Sequence, residues 1–301
     1  MIKNYFYKIY DLIVKSEFKI DELISIDETE NFDVKIKYGK VPEKLIKDIN
    51  EYKWYSIEKD YSVLKIKDVG NYYIKEGKEI IVEPYESAEY HYIKTYILGS
   101  AFGLLLKQRN QVAIHGGTVK IGDRAVILTG NTGAGKSTLT NAFRHNGYKF
   151  LCDDVSPLSV KDNIKVMPAY PQQKLCKDAM DSMGYNTENF KRIDEGRDKF
   201  AIPVHESFIK DPLNLGGICE LEIHDGNDVE IEEVKGKDKI ISVIRNIYRI
   251  ELFRETHLDK EYFKSCLNIA MKIPIYKVKR PRIGFTVNNQ IELIEKVLTN
   301  N

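Results

Sequence analysis

No apolar run in this sequence is long enough to cross a bilayer: the most apolar stretch, Tyr96 to Leu106, falls well short of the roughly 20 residues a spanning helix needs. The opening residues, MIKNYFYKIYDLIVKSEFKI, lack an uninterrupted apolar core and a small-residue cleavage site, so they do not read as a secretory signal. An excess of one charge is also missing. Forty-six lysines and arginines face forty-five aspartates and glutamates, which argues against a dedicated nucleic-acid surface and against a polybasic membrane anchor. Cysteine is scarce, and Cys152, Cys176, Cys219 and Cys266 match no metal or redox spacing, so they read as small buried apolar residues in a reducing compartment. Internal repeats and low-complexity tracts are absent, which excludes solenoids and disordered tails. The expectation is a soluble cytoplasmic protein, long enough for one large domain or two ordinary ones.

What is present falls into three parts. Residues 1–86 are rich in Tyr, Lys, Ile and Glu and carry alternating runs (YSVLKIK, YYIK, EIIVEP) separated by turns at Gly70 and Gly77, which predicts a small β-rich domain built as an antiparallel meander. Residues 87–110 predict a connecting helix, with Ser87 as its cap, Lys107 and Arg109 at its end and a smooth patch at Gly99, Ser100, Ala101 and Gly103. Residues 111–301 predict a catalytic domain. Its first runs, QVAIHGGTVKI and AVILTG, read as strands around a Gly122-Asp123 turn, followed by a glycine loop, a helix from Ser137 to about His145, Gly147 as a helix-ending glycine and a further strand, YKFLC. Strand-like stretches (KFAIPV, GICELEI, VEIEEV, IYKVKR) then alternate with helices near 238–248, 258–271 and 288–298. Pro168, Pro171 and Gly184 mark an irregular stretch over 168–200. The fold class expected is mixed α/β.

Gly130-Asn131-Thr132-Gly133-Ala134-Gly135-Lys136-Ser137, with Thr138 after it, fits G-x-x-x-x-G-K-[ST] at every fixed position. The glycines let the backbone curl so that successive N–H groups point inward, and the following helix adds its positive end. Lys136 is placed to reach terminal phosphates and the Ser137 hydroxyl to ligate magnesium. A β-branched strand before the loop and a helix after it supply the context the pattern requires.

Asp153 and Asp154 follow the next strand at its carboxyl end, where ligands bind in open α/β sheets. If strand alternation persists, the two carboxylates point to different sides and have different tasks, one facing a metal and the other accepting a proton from an incoming hydroxyl. The competing reading is that one or both cap a turn. His115, followed by Gly116-Gly117, lies on the strand before the hairpin; taken alone, such a histidine is more often structural than a ligand.

IHGGTVKI, LTGNTGAGKSTL and GYKFLCDDV, in this order and at this short spacing, resemble the catalytic core of the HPr kinase/phosphorylase family, whose fold is shared with ATP-dependent phosphoenolpyruvate carboxykinases. The resemblance is strong over residues 111–155 and weaker through MPAYPQQKL and DKFAIPV, where the chain looks most like the HPr kinase-like tailoring enzymes of ribosomal-peptide clusters, notably lasso-peptide precursor kinases. It implies that His115 lies in the active site, that Lys136 and Ser137 serve phosphate and metal, that Asp153 is the proton acceptor and that Asp154 stands beside the metal. It also implies ATP as phosphate donor, Mg²⁺ as cofactor and a homo-oligomer. The region MPAYPQQKLCKDAM lacks the glycine-rich acidic signature of the bifunctional enzymes, and residues 1–86 do not match their sensor domain, so neither phosphorolysis nor sugar-phosphate regulation is implied.

The function these residues predict is a kinase acting on a serine hydroxyl of a peptide or small protein, with a lasso-peptide precursor terminus as one possible acceptor and with Lys174, Arg192, Arg197 and Lys199 as candidate extra cations in a lid. The tyrosine-rich first domain would either recognise peptide by edge-strand addition or stacking, or simply shield the sheet. Two other readings stand beside the peptide kinase. One is a small-molecule kinase acting on free serine or a sugar; the other is a nucleotide-dependent ATPase or switch in which water replaces the acceptor.

Overall fold

The computed structural model describes residues 3–49, 52–194, 198–253 and 259–299. It is a mixed α/β fold that divides into two compact units, one of residues 1–113 and 249–263, the other of residues 114–248 and 264–301. The helical stretch near residue 100 lies within the first unit, to which the chain returns at Arg249.

In the first unit, β1 (Tyr5–Ile9), β2 (Leu12–Ser16), β3 (Ile24–Ser25) and β4 (Val34–Tyr38) precede the short helix α1 (Glu43–Lys47). Then come β5 (Tyr55–Ile57), β6 (Tyr61–Ile66), β7 (Gly70–Lys75) and β8 (Glu79–Pro84). They form a sheet of order β3-β1-β2-β4-β8-β7-β6-β5. Strands β6, β7 and β8 are the expected antiparallel meander, and Glu76 and Gly77, at φ 53° and 63°, make the tight turn between β7 and β8. The pairs β1–β2, β1–β3 and β5–β6 are antiparallel as well, but β2–β4 and β4–β8 depart from the expectation and pair in parallel. Parallel neighbours need long crossovers, and alternation within a strand carries no trace of them.

The helix expected over 87–110 starts later and is interrupted. It consists of α2 (Tyr90–Tyr96), a π-helical turn at Ile97–Ala101 and α3 (Phe102–Gln108), and its N-cap is Glu89, without a side-chain capping bond, rather than Ser87. The small residues Gly99, Ser100 and Ala101 fall in the π turn, which is buried throughout.

The second unit holds the strand–loop–helix–strand order anticipated from the sequence. Strand β9 (Val112–Ile121) pairs antiparallel with β10 (Arg124–Gly130) across a turn in which Gly122 has φ 55°. The loop from Gly130 leads into α4 (Lys136–His145), and β11 (Phe150–Cys152) pairs back onto β9. Next are β12 (Val155–Val160), β13 (Ile164–Val166), β14 (Gln172–Cys176) and α5 (Lys177–Ser182), followed by β15 (Lys191–Asp194) and β16 (Lys199–Pro203). The stretch expected to be irregular over 168–200 thus contains an antiparallel sheet of order β14-β16-β15. Its strands are short and framed by Pro171 and Gly184, so periodicity alone does not announce them. Strand β17 (Leu213–His224), β18 (Glu230–Glu233), α6 (Lys237–Arg245), α7 (Lys260–Lys272), β19 (Ile275–Pro281) and α8 (Val287–Thr299) complete the chain.

Strand β17 pairs in parallel with both β10 and β19. Because β10 is covered on both faces, AVIL reads as an unbroken apolar run rather than an alternation. Val126 and Leu128 of β10, Leu139 and Phe143 of α4, Val278 of β19 and Ile294 of α8 share one core. Helix α4 is therefore clamped between the sheet and α8, and the loop at its start is held from below. Three cysteines are buried as expected, but Cys176, at the exposed end of β14, is not.

The glycine pair after His115 is a packing requirement. A Cβ on Gly116 would run into the Leu128 carbonyl, and one on Gly117 would lie 2.9 Å from Thr140 Cγ2 of α4 and closer still to its hydroxyl. Gly117→Ala is therefore expected to destabilise the protein by about 1–3 kcal/mol, the range for overpacking a close contact. Thr140→Ala in the same chain should recover most of the loss. Denaturant unfolding of the two single variants and the double variant checks this, and additive losses would refute the contact.

Candidate active site

The loop from Gly130 to Ser137 is shaped by backbone conformations that only glycine adopts freely. Gly130, Gly133 and Gly135 have φ of 131°, 85° and 104°. A Cβ on Gly133 would meet nothing within 4 Å, so the loop is open at that point. Lys136 folds back over the loop, its Nζ donating to the carbonyls of Gly130 at 2.8 Å and Asn131 at 3.1 Å. Burial lowers the pKa of that ammonium and the charge of Lys199 adds to the effect, while Asp154 and Asp153 oppose it.

A residue that spacing did not reveal supports the loop from the other side. Arg280, near the end of β19, donates from Nε to the Ala134 carbonyl at 2.8 Å and from Nη2 to the Gly133 carbonyl at 3.2 Å. Together with the Ala134 N–H, which donates to the Asn131 carbonyl at 3.1 Å, these bonds hold the loop in one shape. No motif links Arg280 to residues almost 150 positions earlier; only the parallel pairing of β19 with β17, and of β17 with β10, brings them together.

Strand β11 ends at Cys152, and Asp153 and Asp154 form a bend before β12. They turn to different partners although no strand alternation enforces it. Asp153 Oδ2 accepts the Lys174 backbone N–H at 2.9 Å, while Oδ1 is buried with no hydrogen-bond partner among the described residues. Burial pushes this carboxyl up to about 7 and the neighbouring charge of Asp154 reinforces the rise; Lys174, by its charge and its N–H, and Lys199 hold it lower. Asp154 Oδ1 lies 3.6 Å from His115 Nε2, and its Oδ2 lies 3.5 Å from Lys174 Nζ. Burial works against the charge on Lys174, but Tyr170, Asp154, Tyr248 and Asp153 together carry its pKa above the ordinary value.

His115 is held mainly through its backbone. Its N–H donates to the Asn246 carbonyl at 2.8 Å, and its carbonyl lies 2.7 Å from the Thr129 hydroxyl, which is also 3.0 Å from Asn246 Oδ1. Asn246 Nδ2 in turn donates to the buried Glu220 carboxylate at 2.8 Å, which also takes Ser242 Oγ at 2.8 Å and Arg245 Nη2 at 2.6 Å. The imidazole ring lies against Tyr248, with ring centroids 5.6 Å apart.

Lys136, Asp153, Asp154 and His115 thus gather around the loop, where Asn131, Thr132, Ala134 and Gly135 form the turn and Ser137 and Thr138 open α4. Of the four candidate lid cations, Lys174 and Lys199 act on this cluster, Arg192 pairs with Asp198 at 2.8 Å, and Arg197 lies outside the described residues. Among the described residues no group of three or more His, Cys, Asp or Glu side chains is arranged to hold a metal ion.

The elevated Asp153 carboxyl has a thermodynamic consequence. Its folded-state pKa lies above its unfolded value, so between about pH 4 and 7 the folded chain binds the extra proton, and stability contributed by this group is lost as pH rises through that window. Asp153→Asn carries no such charge. Relative to the parent it should gain stability from about pH 4 to pH 7 and level off above, a change on the order of a few kcal/mol. Thermal unfolding across this range measures the gap, and a difference that does not change with pH would contradict the burial of Asp153.

No protein-family model matches the chain, and no curated protein does. Among solved structures, the chain is similar to the Hpr(Ser) kinase/phosphatase from Coxiella burnetii, at 15% sequence identity and a TM-score of 0.30, over 62% of this chain and 94% of that one.

Proposed function

We propose that this chain is an ATP-dependent kinase that transfers the terminal phosphate to a serine hydroxyl of a peptide or small protein, with a lasso-peptide precursor terminus as a candidate acceptor. The observation that carries the proposal is the Asp153 carboxylate. One oxygen is fixed by a backbone N–H, the other is buried without a donor, and its pKa lies at about 7, next to a loop built for phosphates. A base poised near neutral pH, with an acceptor oxygen awaiting a hydrogen bond, suits the deprotonation of a hydroxyl.

In this reading the loop amides and Lys136 hold the phosphates, and Lys174 and Lys199 add positive charge where negative charge accumulates. The acceptor hydroxyl gives its proton to Asp153 Oδ1 as its oxygen bonds to phosphorus; the bond from that phosphorus to the bridging oxygen breaks and leaves ADP. Magnesium bound with the nucleotide would take Ser137 and Asp154 as protein ligands and neutralise phosphate charge. His115, against Asp154, helps to fix the orientation of that carboxylate.

Transfer of label from γ-labelled ATP to a panel of serine-containing peptides tests the assignment. Asp153→Asn should lower transfer by about 10²–10⁴-fold, the contribution typical of a general base, while leaving nucleotide affinity nearly unchanged. In the parent, kcat/KM should climb as pH rises through about 7, because Asp153 must lose its proton to act. Label moving only to a small hydroxyl compound would sink the peptide assignment, and hydrolysis untouched by Asp153→Asn would point to an ATPase or switch.

A further inference from the structure

Strands β10, β17 and β19 run parallel, so their carboxyl ends open on the same edge of the sheet. The phosphate loop leaves β10, the turn at His224 and Asp225 leaves β17, and residues 282–286 leave β19. Ligands of open α/β sheets lie along this edge. The segment after β19 begins in contact with the loop, since Arg280 donates to the carbonyls of Ala134 and Gly133. It is tied to the turn after β17 as well: the Arg282 N–H donates to the His224 carbonyl at 3.2 Å, and its Nε lies 3.2 Å from Asp225 Oδ1. Its start is therefore fixed, and at its far end the Thr286 carbonyl accepts the Gln290 N–H of α8 at 3.1 Å.

What the segment presents between those ties is apolar. Ile283 is 86% exposed and Phe285 58% exposed, two large side chains left in water just after the hydrogen bonds made by Arg280 and Arg282. Gly284 between them has φ 99°, and a Cβ there would meet only Thr286 Cγ2 at 4.0 Å, so the tip stands open. A nucleotide carries its charge at one end and a flat aromatic base at the other. With the phosphates in the loop, the base needs an apolar surface along the same edge, and these two side chains, three and five residues after the loop-bound Arg280, offer one.

We propose that Ile283 and Phe285 form the platform for the base of the bound nucleotide, receiving its face by stacking and apolar contact. The proposal rests on the reading of residues 130–137 as a phosphate site. Neither side chain offers a hydrogen-bonding group, so the platform recognises the presence of a base and its flat surface rather than the pattern of its edge.

The test compares two ligands in calorimetric titrations of the full chain: ATP, which has a base, and inorganic tripolyphosphate, which has none. Phe285→Ala should weaken ATP about tenfold and leave tripolyphosphate unchanged, as loss of a stacking partner requires. Ile283→Ala should act in the same sense, and Phe285→Trp should retain ATP affinity. Both residues are exposed, and unchanged tripolyphosphate binding certifies that the variants are folded. Equal weakening of both ligands would mean that the segment acts through the shape of the phosphate loop, and unchanged ATP affinity with a raised KM for peptide would assign it to the acceptor; either overturns the proposal. If the parent chain bound neither ligand, the phosphate-site reading itself would fall, whereas equal affinity of the parent for both ligands would remove only the platform.

Discussion

Two carboxylates at consecutive positions cannot both be ionised in a partly buried bend unless cations surround them, and this constraint organises the site. Asp153 and Asp154 occupy such a bend, and burial together with their mutual repulsion raises Asp153. The offsetting charges come from β14 and β16. In that antiparallel ladder Cys176 faces Lys199 and Lys174 faces Ala201, so Lys174 and Lys199 are diagonal neighbours on the same face. Both charges act on Asp153. The small sheet is thus the means by which residues 21 and 46 positions downstream, counted from Asp153, are delivered to one carboxylate.

A second buried charge ties the other side of the site together. Glu220 lies on β17 directly beside Thr129 of β10, and its carboxylate gathers Ser242, Asn246 and Arg245 from α6 and its end. Removing one partner of such a network leaves an uncompensated buried group, which costs more than the net value of the bonds themselves. Asn246 transmits the constraint to Thr129, immediately before the phosphate loop, and to the backbone of His115. The loop and the histidine are therefore indexed to the same buried carboxylate.

The parts of the site that are contiguous in the chain were readable from residue types. Gly130 to Ser137, His115 with its two glycines, and the Asp153-Asp154 pair each state a local requirement, and the strand before the loop is apolar enough to declare itself buried. The parts that depend on distant pairing were not. Arg280 meets the loop only because three strands run parallel, Asn246 reaches Thr129 only through α6, and Lys174 sits behind Pro168 and Pro171 in a stretch that looks like a loop. The parallel pairing of β2, β4 and β8 was hidden for the same reason, since a strand's own pattern reports what covers its faces but not the direction of its neighbour. The π turn at Ile97–Ala101 escaped because its small residues suit close helix packing equally well.

In the proposed kinase reaction the cations around the loop would serve two opposed requirements. A bound polyphosphate adds negative charge next to Asp153, and that charge alone would raise the carboxyl further and hold its proton in place when a base is wanted. Lys174 and Lys199 counter this from the side of the small sheet, while Lys136 and Arg280 already neutralise the loop carbonyls at Gly130, Asn131, Gly133 and Ala134. The chain as a whole carries almost no net charge, so attraction for a polyanion has to come from this local arrangement rather than from a general field. In that reaction the charges that favour phosphate binding would be the same ones that keep Asp153 able to ionise once phosphate is bound. Binding and proton transfer would then be coupled through side chains contributed by α4, β19 and the separate small sheet of β14 and β16.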